Sequence, residues 1–242
     1  MICAAIDIGN TRMKAGVYES GNLVEKRVFS GESMDDIFLW LTNQKVQSVI
    51  CTATRPLRTE WLEELKKRHF VLLLDHLTPL PIENGYDSPQ TLGKDRLAAV
   101  VGANALYPKQ PNLVIDAGTC TTYDLVDAAG VFRGGNISPG LRMRFQAMQH
   151  FTARLPLVER PAGLRNGLGT TTETAMQLGG GFGNVLEMRG WIQWFRRRYP
   201  GINIILTGGD ADYFAKRLKT KIFVSPNLVL FGLYKILLHN VE

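Results

Sequence analysis

Cysteine is scarce: only Cys3, Cys51 and Cys120 occur in 242 residues, and no two form a Cys-x-x-Cys pair. An odd count at wide spacing argues against a disulfide framework or a zinc site, and for a reducing compartment. Cys3 and Cys51 stand in apolar runs and read as small buried residues. Long apolar segments are also missing, since no window approaches the roughly 18 residues that a membrane helix needs. No leader pattern opens the chain, because Asp7 interrupts the only apolar stretch there. A cytoplasmic protein with no membrane partner is therefore expected. There is no low-complexity segment, no helix-turn-helix signature and no basic stripe interleaved with aromatics. The net charge is nonetheless +6. The two densest basic clusters, Lys66-Lys67-Arg68 and Arg196-Arg197-Arg198, close candidate helices, where cations complement the dipole. No nucleic-acid partner is expected. A basic balance also suits an enzyme that handles small polyanions such as ATP.

What the chain does have is one motif twice. Ala5-Ile6-Asp7-Ile8-Gly9-Asn10-Thr11 and Val114-Ile115-Asp116-Ala117-Gly118-Thr119 are each an apolar strand ending in Asp-x-Gly and a hydroxyl or amide side chain. Asp7 and Asp116 stand 109 residues apart, and so do the turn glycines Gly21 and Gly130. A constant offset indicates duplication. Two domains are expected, over 1–110 and 111–242, facing each other across a cleft.

The local patterns agree with an α/β class. Three strands are expected at 2–8, 13–19 and 23–30, with a tight turn at Ser20-Gly21-Asn22. A helix at 33–42, a strand at 46–52, a helix at 58–68 and a strand at 70–74 follow. Residues 78–90, rich in Pro, Asn and Gly, read as a loop before a helix at 92–106. The second half repeats the triplet at 113–116, 121–126 and 131–136. Helices are then expected at 140–149, 172–198 and 211–219, a strand at 202–206, and an apolar helix at 228–238.

The acidic turns suggest phosphate chemistry. Gly9 lets the backbone approach a phosphate closely, and Asn10, Thr11 and free backbone N–H groups can donate to its oxygens. Lys14 supplies a compact cation. Asp7 suits a hydrated Mg²⁺, which keeps several waters. A plain hairpin would use the same turn residues, but it would not need an aspartate in both halves. The second copy adds Thr119, Thr121, Thr122 and Asp124, a set able to hold a cation or meet phosphates. Neither a P-loop nor a Gly-x-Gly-x-x-Gly fingerprint is present at these turns. Thr207-Gly208-Gly209 could pack flat against a nucleoside, and an ordinary strand-to-helix turn explains it equally well. In Gly93-Lys94-Asp95-Arg96, Asp95 could accept a hydroxyl proton and Arg96 could pair with a substrate carboxylate. On pattern alone, ordinary residues of a first helical turn remain the stronger reading of that pair.

Together the motifs go further. Asp7-x-Gly9-Asn10-Thr11, Gly93-x-Asp95-Arg96, Asp116-x-Gly118-Thr119, Gly134-Gly135-x-Ile137-x-Pro139-Gly140 and Thr207-Gly208-Gly209 occur in this order. In order and spacing the set resembles the type III pantothenate kinases, of the actin and sugar kinase superfamily. The resemblance implies duplicated actin-like (ribonuclease H-like) domains, each a mixed sheet with flanking helices. It implies ATP-dependent phosphorylation of pantothenate to 4′-phosphopantothenate, the first step toward coenzyme A. Asp7, Gly9, Asn10, Thr11 and Lys14 would meet the ATP phosphates, with Asp7 holding Mg²⁺ through water. Thr119 would touch ATP, and Gly208 and Gly209 would receive adenosine. Asp95 would be the proton acceptor. Tyr86, Gly93, Lys94, Arg96 and Thr172 would line the pantothenate site. Asp116 would hold a monovalent cation, K⁺ or NH₄⁺. A homodimer is implied too. The helix bearing Trp191 and Trp194 is an interface candidate, with core packing as the other reading.

Two alternatives compete. One is a kinase of the same fold for another small hydroxylated substrate, which would have no need of Gly93-x-Asp95-Arg96. The other is a non-catalytic accessory factor for transcription, a role also described for proteins resembling this family. The retained acidic and glycine motifs lean toward catalysis.

Overall fold

The computed structural model describes residues 1–9, 12–29, 35–163 and 167–241. The first half runs β1 (Ile2–Ile8), β2 (Met13–Glu19), β3 (Asn22–Phe29), α1 (Asp35–Thr42), β4 (Ser48–Ala53), α2 (Thr59–Lys66), β5 (Phe70–Leu73), β6 (Glu83–Asn84) and α3 (Lys94–Leu106). The second half opens with β7 (Asn112–Ala117), β8 (Cys120–Val126), β9 (Val131–Pro139), α4 (Leu141–His150) and α5 (Thr172–Gln177). It continues through a π-helical turn (Leu178–Phe182), α6 (Gly183–Arg198), β10 (Asn203–Thr207), α7 (Ala211–Leu218), β11 (Phe223–Val224) and α8 (Leu228–Val241). One sheet has the order β3-β2-β1-β4-β5, and the other contains β9-β8-β7-β10-β11, with β6 beyond β9. The two orders are the same under the duplication. The class is therefore mixed α/β with two mixed sheets, as the repeated motif implied.

The chain forms two compact units: Met1–Lys109 with Val126–Gly134 and Asn227–Glu242, and Gln110–Leu125 with Gly135–Pro226. The division expected at 1–110 and 111–242 follows the repeat in the sequence. Packing groups the residues differently, because α8 lies on β1, β2, β4 and α3. The C-terminal helix therefore belongs with the first unit.

In the first unit β1 pairs antiparallel with β2 and parallel with β4. Ala4, Ile6 and Ile8 face one core with Met13 and Ala15 of β2, Ile37 and Trp40 of α1, and Trp61 and Leu65 of α2. The opposite face of the sheet meets α8. Covering both faces explains why 2–8 is apolar throughout up to Asp7 instead of alternating. The Tyr18 ring of β2 stacks on Tyr234 of α8 at 4.4 Å.

The second unit places β10 parallel to β7 and to β11. Leu113 and Ile115 of β7, Tyr123 of β8, Phe145 of α4, Met188 and Ile192 of α6, and Phe214 of α7 share its core. The helix expected over 172–198 is interrupted by the π-helical turn. Gly180 lies there against the Phe145 ring, where a Cβ would come within 2.4 Å of a ring carbon. One extra residue in the turn brings that glycine face onto the ring. The strand expected at 131–136 continues to Pro139. The two-residue strands β6 and β11 were not anticipated, being too short to show a period. Among the described residues no helix is long and apolar enough to cross a membrane.

Candidate active site

Asp7 stands near the carboxyl end of β1, the edge at which open α/β sheets receive ligands. It is buried, and its register partners are Lys14 on β2 and Thr52 on β4. Lys14 is half-buried. Thr52 is fully buried, and its Oγ1 has no hydrogen-bond partner. Thr54 steadies the strand end, donating from N and Oγ1 to the Ile8 carbonyl at 3.0 and 3.2 Å. The Gly9 N–H donates to the Arg12 carbonyl at 3.1 Å and closes the turn. Asn10 and Thr11, the two remaining residues of this motif, lie outside the described residues.

A second group in the same unit gathers Tyr86, Gly93, Asp95 and Arg96. Gly85 donates to the Phe132 carbonyl at 3.1 Å, which sets Tyr86 face to face on Phe132 with centroids 5.8 Å apart. The Arg96 guanidinium lies 5.6 Å from the centre of the Tyr86 ring. Arg96 itself is only 7% exposed. Gly93 caps α3 without a side-chain bond, and Asp95 Oδ1 accepts from the Arg96 N–H at 2.9 Å. A Cβ on Gly93 would stand 2.7 Å from that oxygen, so glycine keeps the carboxylate's place open. Lys94 is the first residue of α3. The helix expected from 92 thus begins two residues later, because Gly93 is its cap. An aromatic face under a guanidinium, beside a half-buried carboxylate, can hold an anionic substrate and take a proton from it.

In the other unit Asp116 pairs in register with Thr207, which brings the Gly118-Thr119 and Gly208-Gly209 turns side by side. The Asp210 N–H donates to the Ala117 carbonyl at 2.9 Å. Gly208 has φ +97, and a Cβ there would lie 2.4 Å from the Ala117 oxygen and 2.5 Å from Asp116 Oδ1. The half-buried Asp116 carboxylate therefore sits in a cradle that only glycine leaves free. Gly209 is exposed, with open space where its Cβ would be. Thr119 is exposed, and its carbonyl accepts from the Gly140 N–H at 3.2 Å. Thr172 opens α5 on the surface, behind a capping box made by Thr171 and Thr174.

Charged residues that the motifs did not point to surround these turns. Arg160 pairs with Asp210 at 3.2 Å. Arg144 pairs with Glu187, whose other oxygen accepts from the Tyr123 hydroxyl at 2.9 Å. Burial, and then the Glu187 charge, push the Tyr123 phenol above its ordinary range, so it remains a donor. These partners are 43 to 64 residues apart, and no local pattern links them. Trp191 turns inward to Tyr123 at 5.9 Å and packs on the core, whereas Trp194 is 45% exposed.

The family model for type III pantothenate kinases matches residues 3–193. The chain belongs to the type III pantothenate kinase family. A type III pantothenate kinase from Phocaeicola vulgatus is 43% identical over 97% of both chains. Solved structures share the fold at low identity. A Campylobacter jejuni protein described as a transcriptional activator of the Baf family aligns over 98% of both chains, with TM-score 0.62 and 21% identity. A Sinorhizobium meliloti protein assigned as a 2-dehydro-3-deoxygalactonokinase aligns over 99% of both, with TM-score 0.60 and 14% identity. These neighbours share the duplicated actin-like fold, and at such identity the likeness concerns fold alone. The matched span contains every motif residue except Thr207, Gly208 and Gly209.

The donor set fits the metals of a kinase in a particular way. Among the described residues no three His, Cys, Asp or Glu side chains converge on one point. Asp7, beside the unpartnered Thr52 hydroxyl, has oxygen chemistry of the kind a hydrated divalent ion takes. The Gly208 cradle around Asp116 offers oxygen ligands of the kind a monovalent cation takes.

Proposed function

We propose that this chain phosphorylates pantothenate with ATP, giving 4′-phosphopantothenate, the first step of coenzyme A biosynthesis. The observation that carries the reading is the Tyr86, Asp95 and Arg96 group within the family match. Pantothenate offers one carboxylate and a primary hydroxyl. Arg96 pairs with the carboxylate, Tyr86 supplies an apolar wall, and Gly93 and Lys94 complete the lining; Thr172 is assigned to the same substrate by family resemblance alone. Asp95 accepts the hydroxyl proton as the alcohol oxygen bonds to the γ-phosphorus. The bond from that phosphorus to the β-γ bridging oxygen breaks, and its electrons leave with ADP.

Asp7, Gly9, Asn10, Thr11, Lys14 and Thr119 take the phosphates, while Gly208 and Gly209 take the adenosine. Mg²⁺, reached by Asp7 through water, supplies charge neutralisation on the phosphate tail. Asp116 holds K⁺ or NH₄⁺. The homodimer reading rests on family resemblance, with the exposed Trp194 on α6 as the surface assigned to it. Kinases of other hydroxylated substrates share this fold, and the family match over 3–193 is what favours pantothenate over them.

Coupled ADP release tests the assignment. Turnover is expected with pantothenate, Mg·ATP and K⁺, and not with sugars in its place. A purified protein that turns over a sugar and ignores pantothenate would refute it. A second outcome concerns the ion. Replacing K⁺ by Na⁺ should raise the KM for ATP by about tenfold, a typical coupling between two sites. Equal rates in K⁺, NH₄⁺ and Na⁺ would remove the role given to Asp116.

A further inference from the structure

Arg144 is in an unexpected place for a cation. It lies in the first turn of α4, which starts at Leu141, where the helix dipole disfavours positive charge. Its side chain does nothing for the helix dipole. It folds back over the helix start instead, donating from Nε to the Pro139 carbonyl and from Nη2 to Ser138 Oγ, both at 2.9 Å. Glu187 of α6 pairs with the same Nη2 and offsets the charge. The other Glu187 oxygen takes the Tyr123 hydroxyl from β8 at 2.9 Å. Through Arg144 this one carboxylate joins two segments, Ser138 to Gly140 and the middle of β8 at Tyr123.

These are the two segments that flank Thr119. β8 begins at Cys120, immediately after it. Gly140 packs over it, donating to the Thr119 carbonyl at 3.2 Å. The fit is tight: a Cβ on Gly140 would stand 2.4 Å from the carbonyl oxygens of both Gly118 and Thr119. On its other side the turn is fixed by the Asp210 N–H on the Ala117 carbonyl. A shift in either flanking segment must move the Thr119 backbone.

We propose that Arg144, Glu187 and Tyr123 are positioning residues, a brace that holds the Gly118-Thr119 turn in the shape that receives the phosphates of the nucleotide. This rests on the reading of Thr119 as an ATP contact. None of the three touches substrate. They act through the backbone of Ser138 to Gly140 and of β8. Loss of the brace frees the turn to sample other shapes, so nucleotide binding weakens before the chemical step does.

The test measures the Kd for the non-hydrolysable analogue AMPPNP with Mg²⁺ and K⁺, in the absence of pantothenate, alongside steady-state kinetics and thermal melting. Glu187→Gln keeps size and removes the charge that binds Arg144. It is expected to raise the AMPPNP Kd and the KM for ATP about tenfold, the scale of one charge-assisted hydrogen bond. The KM for pantothenate should move far less. Tyr123→Phe should weaken AMPPNP about threefold, since only a neutral donor is lost. Arg144→Lys should fall between them, because an ammonium cannot reproduce the guanidinium fork. A lower melting temperature with AMPPNP affinity within twofold of wild type would overturn the brace and assign the three residues a structural role only. If Glu187→Gln does not fold, Tyr123→Phe and Arg144→Lys decide by the same criterion. A wild-type protein that binds AMPPNP but ignores pantothenate would sink the substrate assignment, and the affinity series would still decide the brace.

Discussion

Asp95→Asn should leave a folded, nucleotide-binding protein whose kcat is lower by about 10²–10⁴-fold, the range for losing a general base. The substitution is close to isosteric. Asparagine Oδ1 can still accept the Arg96 N–H that Asp95 receives at 2.9 Å, so the start of α3 is kept. What disappears is the charge and the basicity. Arg96 stays over Tyr86, held by burial and by the ring, and the KM for pantothenate should change little. Asp95→Ala is the poorer experiment, because it also removes the acceptor at the helix start and mixes stability with chemistry. Steady-state rates with a melting curve on the same preparation give the answer. A folded Asp95→Asn protein within tenfold of wild-type kcat would show that another group takes the proton, or that none is needed.

Much of this architecture is legible in the residues because the signals are local. The turns at Gly21 and Gly130 both have positive φ, at +90 and +79, and each joins the second and third strands of its copy. Their equal offset from the two aspartates announced the duplication, and the common strand order follows from it. Asp7 and Asp116 stand out in the sequence because an acid at a strand end before glycine recurs in both halves, which a turn alone does not require. Tyr86 was reached only through family resemblance. Phe132, the ring beneath it, carried no signal, since an aromatic in an apolar strand is ordinary. The grouping of α8 with the first unit was hidden for a related reason. An apolar helix can pack on any apolar face, and which one is a tertiary outcome. The Arg144 and Glu187 pair was invisible because charges 43 residues apart reveal nothing until the chain has folded.

The helix pair beneath Asp95 yields the largest expected effect on stability. Gly232→Ala on α8 should lower the melting temperature by about 6–12 °C, corresponding to about 3 kcal/mol for a protein of this size. The usual expectation has the opposite sign. Alanine is the better helix former by about 1 kcal/mol, and it also restricts the unfolded chain. Here a Cβ on Gly232 would stand 1.7 Å from the Ala98 carbonyl oxygen and 2.6 Å from its carbon. Those atoms are backbone of α3, and no rotamer relieves the clash. Gly102 repeats the arrangement from the other side, with the Leu228 carbonyl 2.7 Å from where its Cβ would be. The two helices cross through glycine on both faces, so an added methyl must push α8 away and open the buried contact along its length. Because α3 begins at the Gly93 cap and carries Asp95 in its first turn, a displaced helix should also reduce kcat at temperatures well below the melt. Gly190→Ala on α6 is the matched control. It is exposed and helical, with nothing within 4 Å of its Cβ position, and should melt slightly higher than wild type. If Gly232→Ala melts at or above wild type, the close crossing of α3 and α8 is wrong.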